Sequence, residues 1–238
     1  ELADACDGVD RQLAAAGSGG LRIEPSRDGE LRLSGLGIHD KDGAVLLAAI
    51  DLGVRPGERL LVSGGSGTGK STLVRTLTGL WPWARGAIHA PEGTRILVAP
   101  QKPYLPAGTL RHALLYPGAD VGIPDEEVRA ALRAVDLGSL ADRLDEYDRW
   151  DRQLSNGELQ RLMVARILAQ KPALAILDEA MTALDDATQR HLLELIERRL
   201  PGTAVIVLTQ RPGIAGLPSR LVDLGQRAAT ASPQPAIA

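Results

Sequence analysis

Apolar positions recur along the chain with two different periods. Over residues 1–16, Leu2, Cys6, Val9 and Leu13 fall at helical spacing and Gly17-Ser18-Gly19-Gly20 follows, which predicts a short amphipathic helix and a flexible joint. From 31 to 62, short apolar or alternating runs are broken by Asp40-Lys41-Asp42-Gly43 and Arg55-Pro56-Gly57-Glu58, the pattern of strands joined by turns. A strand at 59–63 runs into a glycine-rich loop, and residues 70–80 are helical in character. Further on, the pattern predicts a strand at 95–99, at least two amphipathic helical stretches within 108–147, a helix after Gly157 reaching about Gln170, a strand at 174–177, a helix over 185–200 and a strand at 204–209. Strands alternating with helices predict an α/β fold whose sheet is parallel and covered on both faces. Residues from 226 onward, rich in Ala, Pro and Gln, read as a disordered tail.

Composition narrows the class. The 238 residues suit one large domain or two lobes, at roughly 150 residues per domain. A formal net charge of −3 lacks the basic balance expected of a protein whose main partner is nucleic acid. The longest apolar run, residues 44–50, is far below the roughly 20 residues that span a bilayer. Cys6 is the only cysteine, so no intrachain disulfide forms. The chain opens on Glu1 without a basic-then-apolar leader pattern, which reads as a segment excised from a longer protein.

Between the strand at 59–63 and the helix at 70–80 stands Gly64-Gly65-Ser66-Gly67-Thr68-Gly69-Lys70-Ser71, with Thr72 next. Glycines at this spacing let backbone amides curl around phosphate oxygens, and the helix N-terminus adds a favourable dipole. Lys70 is placed to reach the β- and γ-phosphates, and the Ser71 hydroxyl to bind magnesium. A nucleoside triphosphate is the implied ligand. The apolar run 174–177 ends in Asp178-Glu179. Acids after a strand are commonplace on surfaces, but beside a phosphate loop Asp178 reads as the metal helper and Glu179 as the base for the attacking water.

Leu154-Ser155-Asn156-Gly157-Glu158 opens the helix that reaches Gln170, and Ser155 with Glu158 makes an S-x-x-E capping box. Together these elements resemble the ATP-binding-cassette (ABC) family, whose L-S-G-G-Q signature lies between the phosphate loop and the acidic pair. Gln101 resembles that family's Q-loop residue, and Ala183-Leu184-Asp185 resembles its D-loop. The resemblance covers roughly residues 30–225. It implies a P-loop NTPase core with a mostly parallel sheet, an N-terminal antiparallel β subdomain and an inserted helical subdomain at about 102–160. Residues 29–225 would be the nucleotide-binding domain and 1–28 a linker from an upstream transmembrane segment.

The resemblance further implies head-to-tail pairing of two copies, each ATP lying between the loop of one and the signature of the other. ATP and Mg2+ are then held by Gly64, Gly65, Ser66, Gly67, Thr68, Gly69, Lys70, Ser71, Thr72, Gln101, Ser155 and Gly157, with Ser71, Gln101 and Asp178 toward the metal. Glu179, Gln210 and Lys70 would carry hydrolysis to ADP and phosphate. The implied setting is the cytoplasmic face of a cell membrane, with a transmembrane domain as partner and no nucleic acid. Gly79-Leu80-Trp81-Pro82-Trp83, Pro100-Gln101-Lys102-Pro103-Tyr104-Leu105, Gly108-Thr109-Leu110-Arg111 and Leu115-Tyr116-Pro117 resemble the subclass of peroxisomal fatty-acyl transporters and BacA-related bacterial transporters. That subclass implies transport of hydrophilic compounds, peptides or cobalamin in its bacterial members. Trp81 and Trp83 are either packing residues or contacts to the membrane domain.

The chain departs from the family at several positions. Asn156 and Glu158 differ from the signature consensus, and Gln210 stands where a histidine usually follows the strand at 204–209. Glutamine donates a hydrogen bond but carries no imidazolium charge, which implies slow hydrolysis with intact ATP binding. Residues 30–63 hold no aromatic for the adenine except His39, which either stacks on the base or is a solvated turn residue. His89, His112 and His191 are scattered, and Asp145, Glu146, Asp148 and Asp151 form an acidic run of the kind that lines solvated helix faces. Two other classes fit less well. A soluble cassette ATPase acting on DNA or ribosomes has to work without a long insertion between Gln101 and Leu154, and a slow nucleotide sensor would rest on Gln210.

Overall fold

The computed structural model describes residues 20–26, 28–118, 122–210 and 220–225. The helix predicted at 1–16 and the tail from 226 lie outside them. The chain divides into two units, the first formed by residues up to 55, 62–94 and 221 onward, the second by 56–61 and 95–220.

Unit one is built on a sheet of four strands in the order β1-β5-β2-β3. These are β1 (Leu21–Pro25), β2 (Leu31–His39), β3 (Val45–Val54) and β5 (Ala84–Ala90). The β2–β3 pairing is antiparallel and sets Leu33 opposite Leu52 and Ile38 opposite Leu47, so the apolar alternation of both strands falls on one buried face. β2 pairs antiparallel with β5, whereas β1 joins β5 in parallel, which makes the sheet mixed. Residues 21–25 belong to the stretch that the sequence assigns to a linker. They are instead a strand, with Leu21 opposite Gly86 and Ile23 opposite Ile88. Backbone pairing holds this edge and Ile23 is 71% exposed, so no burial pattern marks it in the sequence. β5 is equally silent because Gly86 interrupts it. At φ 105, a Cβ there would lie 2.5 Å from the Gly35 oxygen, so only glycine permits the two strands to approach this closely.

Unit two holds the parallel strands β6 (Ile96–Ala99), β9 (Leu174–Asp178) and β10 (Ala204–Thr209), with β9 in the middle. β9 is buried up to Leu177 and β10 throughout, the continuous apolar composition of strands covered on both faces. The first residues of β4 (Arg59–Ser63) belong here as well, where the Val205 N–H donates to the Glu58 oxygen at 2.9 Å, before the strand continues into unit one.

Around these strands lie α5 (Asn156–Gln170) and α6 (Asp186–Arg199), whose Leu162, Ile167, Leu192 and Ile196 share one core with Leu177 and Val205. The insert between β6 and α5 contains β7 (Gly108–Thr109), α2 (Leu110–Leu115), α3 (Asp125–Ala134), a 3-10 turn (Gly138–Arg143), β8 (Tyr147–Asp148) and α4 (Trp150–Gln153). α3 starts on three acids, Asp125, Glu126 and Glu127, and ends near Arg133, a charge order that complements its dipole. The acidic run that follows is paired locally: Glu146 with Arg143 and Asp151 with Arg149.

Trp150 is the largest fully buried side chain of the insert. Its indole N–H donates to the Gly108 oxygen at 3.1 Å, and the Arg143 guanidinium lies 4.9 Å from its ring centre. Three residues separate this anchor from Leu154-Ser155. The path into α5 is therefore fixed from the core side.

Candidate functional site

The glycine loop belongs to unit one. β4 delivers Gly64, and α1 (Lys70–Leu77) begins at the end of the loop with Gly69 as its N-cap. Gly67 (φ 80) and Gly69 (φ 87) occupy the left-handed region, and a Cβ on Gly64 would stand 2.5 Å from Thr68 Oγ1. The Thr68 hydroxyl donates to the Gly65 oxygen at 2.9 Å and tightens the turn. No acid occupies the first turn of α1, so no carboxylate neutralises the positive end of its dipole, which favours an anion. Lys70 is buried apart from 6% of its surface, and its ammonium donates to the Gly64 and Gly65 oxygens at 2.7 and 2.9 Å. The charge is thus held over the mouth of its own loop. Ser71 is exposed on the first turn, with Thr72 beside it.

In the same unit the Trp81 indole N–H donates to the His39 oxygen at 2.9 Å, and Trp81 and Trp83 meet edge to face at 5.1 Å. Both tryptophans are half-buried, each serving as packing for the other.

The acidic pair belongs to unit two. Asp178 ends β9 and Glu179 follows in the left-handed conformation, φ 50, a strained setting for a residue with a Cβ. Its N–H donates to the Leu208 oxygen at 3.0 Å, which carries the side chain past the end of the sheet. There two amides meet the carboxylate. Gln210 Nε2 donates to one oxygen at 2.7 Å and Gln101 Nε2 to the other at 3.4 Å. Gln101 lies just beyond β6 and Gln210 just beyond β10, so the strands on either side of β9 each supply one arm of the clamp. Because Gln101 donates through its nitrogen, its amide oxygen is left as an acceptor or ligand.

Ser155 caps α5 in the same unit. Its hydroxyl accepts from the Glu158 N–H at 3.3 Å, and its own N–H donates to Glu158 Oε2 at 2.9 Å. The hydroxyl also donates to that carboxylate at 2.7 Å, the chief reason the Glu158 carboxyl titrates below its ordinary value. Gly157 faces a Leu184 methyl 3.5 Å from where a Cβ would stand.

Two buried residues that sequence reasoning passes over support these positions. Trp150 fixes the approach to Ser155, as described above. Arg166, on α5, is 4% exposed and donates to the oxygens of Leu114 at 3.1 Å, Ala113 at 2.6 Å and Tyr104 at 3.3 Å. Burial pushes its pKa down to about 10, so the charge persists at neutral pH and rests on the carbonyl end of α2. The signal in the sequence is charge within a mostly apolar helical stretch, where 159–169 carries Arg161 and Arg166.

Residues 47–182 match the family model described as ABC transporter. The chain belongs to the ABC transporter family. This ABC domain is 38% identical over 194 residues to an uncharacterized ABC transporter ATP-binding protein of Haemophilus influenzae, an alignment that covers 80% of this chain and 33% of that protein. It is 37% identical over 151 residues to ATP-binding cassette sub-family D member 3 of Rattus norvegicus, covering 60% of this chain and 23% of that protein. Among solved structures it resembles a bacterial Atm1-family ABC exporter with ATP bound, with a TM-score of 0.71 and 26% identity over 83% of this chain and 37% of that one. The ABC domain spans about a third or less of the length of these curated relatives. Among the described residues no helix is long and apolar enough to cross a membrane.

Proposed function

We propose that this ABC domain binds ATP with Mg2+ and hydrolyses it to ADP and phosphate, working as one half of a head-to-tail pair of identical copies. The cycle would power a transmembrane domain lying upstream in the full-length protein, from the cytoplasmic face. Hydrophilic compounds, peptides or cobalamin are the proposed cargo, on the resemblance to BacA-related transporters. The observation that carries the reading is the carboxylate of Glu179, held at the end of a buried parallel strand between Gln101 and Gln210.

In this reading Glu179 orients the attacking water and takes its proton. An ionised carboxylate only accepts hydrogen bonds, so a water that meets it donates to it and has its oxygen turned away from the carboxylate, toward the phosphate. Gln210 keeps the carboxylate aimed without contributing charge, and Gln101 does the same from the other side. Lys70 exchanges the Gly64 and Gly65 carbonyls for β- and γ-phosphate oxygens when ATP enters, a trade of two neutral acceptors for charged ones. The loop amides of residues 65–70, with Ser71 and Thr72 behind them, cradle the phosphates. Ser155 and the start of α5 at Gly157 offer donors to a γ-phosphate bound on the partner copy. The Ser71 hydroxyl, Gln101 amide oxygen and Asp178 carboxylate are hard oxygen donors that fit Mg2+, which would neutralise phosphate charge.

The test is steady-state ATP hydrolysis with magnesium as a function of chain concentration, beside Glu179→Gln. Specific activity that climbs with concentration and is abolished in the variant supports a composite two-copy site. Activity that is flat with concentration, or that survives in Glu179→Gln, refutes it.

A further inference from the structure

Two buried glutamines hold the turn that follows the acidic pair. Gln160 of α5 is 4% exposed, and its Oε1 accepts the Ala183 N–H at 2.9 Å. Gln189 of α6 is 6% exposed and donates through Nε2 to the Leu184 oxygen at 2.8 Å. Gly157 and Gln160 lie three residues apart and share one face of α5, the face on which Leu184 and Ala183 rest.

The segment between Glu179 and Ala183 has little slack. Glu179 is fixed in its left-handed conformation, Ala180 and Met181 are buried, and the Leu184 N–H returns to the Met181 oxygen at 3.1 Å. Beyond the turn, Asp185 caps α6 by accepting the Thr188 N–H at 2.9 Å. A displacement of the first turns of α5 is therefore transmitted through Gln160 to Ala183, four residues from the carboxylate of Glu179. An apolar side chain of the same length would fill the space but make no such link, and the Ala183 N–H would lose its side-chain acceptor.

We propose that Gln160 is a positioning residue that couples the Ser155 end of α5 to Glu179. The inference rests on the head-to-tail reading given above. Ser155 then serves the ATP held by the partner copy and Glu179 the ATP held by its own, so Gln160 makes the state of one site felt at the other.

The experiment is ATP hydrolysis by this chain as a function of ATP concentration, for the wild type, Gln160→Met and Gln160→Glu. Methionine keeps the unbranched shape without the acceptor, whereas a carboxylate still accepts the Ala183 N–H. The wild type is expected to show a Hill coefficient approaching about 2, the number of sites. Gln160→Met should fall to about 1 with kcat reduced about fivefold or more and KM unchanged, and Gln160→Glu should restore the Hill coefficient. Should the methionine variant not fold, Gln160→Leu takes its place with the same expectation. A folded variant without the acceptor that keeps the wild-type Hill coefficient overturns the proposal, as does a wild type that hydrolyses ATP without cooperativity. A wild type that hydrolyses none at any concentration overturns the two-copy reading itself, and the coupling with it.

Discussion

The position after β10 offers the sharpest test of how this site works. Gln210 donates to Glu179 at 2.7 Å. A hydrogen bond to a charged group contributes about 1.5–3 kcal/mol, and because Gln210 is exposed to solvent the lower end applies. At 1.36 kcal/mol per decade, about 1.5 kcal/mol corresponds to roughly a tenfold change in rate if the bond persists in the transition state. Gln210→Leu, similar in size and without a donor, should lower turnover about tenfold while leaving the ATP affinity set by the glycine loop unchanged. Gln210→His works in the opposite direction. An imidazole keeps the donor and adds a charge that amide chemistry lacks, and preorganised donors of this kind are worth up to about 10²–10³ in turnover. Because free imidazole titrates near 6.5, the advantage of the histidine variant should grow as pH falls toward about 6. The assay is phosphate release at saturating Mg-ATP, with ATP affinity measured separately by equilibrium binding. A Gln210→His turnover equal to wild type would show that this position does not limit catalysis. An unaltered rate in Gln210→Leu would show that the bond to Glu179 plays no part in it.

Trp150→Ala empties the core beside the approach to Ser155 and should cost about 3–5 kcal/mol, which for a chain of this size lowers Tm by about 6–20 °C in a circular-dichroism melt. A drop of a degree or two would contradict the anchoring role. The Glu158 carboxyl titrates below its ordinary 4.5 because Ser155 donates to it, so its contribution to stability is present in full above that pH and lost as pH falls through the folded-state value. Wild type and Glu158→Gln should therefore differ at pH 7, by less than about 1 kcal/mol given the partial exposure, and converge once the pH has fallen below the folded-state value. A gap that persists in acid would place the effect in packing rather than charge.

What the sequence determined is what short spans of chain decide by themselves. The buried strands β9 and β10 are legible because a parallel strand covered on both faces must be apolar throughout. The Ser155–Glu158 capping box is legible because both partners lie within one helical turn. The glycine loop is legible because its backbone conformation selects glycine at fixed offsets, Gly67 and Gly69 among them. The order of these elements was sufficient for the α/β reading.

Only tertiary structure decided the rest. β1 and β5 were invisible because an exposed edge strand and one interrupted by Gly86 are specified by the partner they pair with, not by their own pattern. The clamp on Glu179 brings in Gln101 from 78 positions away and Gln210 from 31, and nothing in a window around any of the three indicates the others. Trp150 finds the Gly108 oxygen 42 positions earlier, and Arg166 finds three carbonyls more than 50 positions back. A side chain's hydrogen-bonding capacity is written in its chemistry. Which carbonyl or carboxylate it meets is set by how strands and helices pack, and packing is a property of the whole chain.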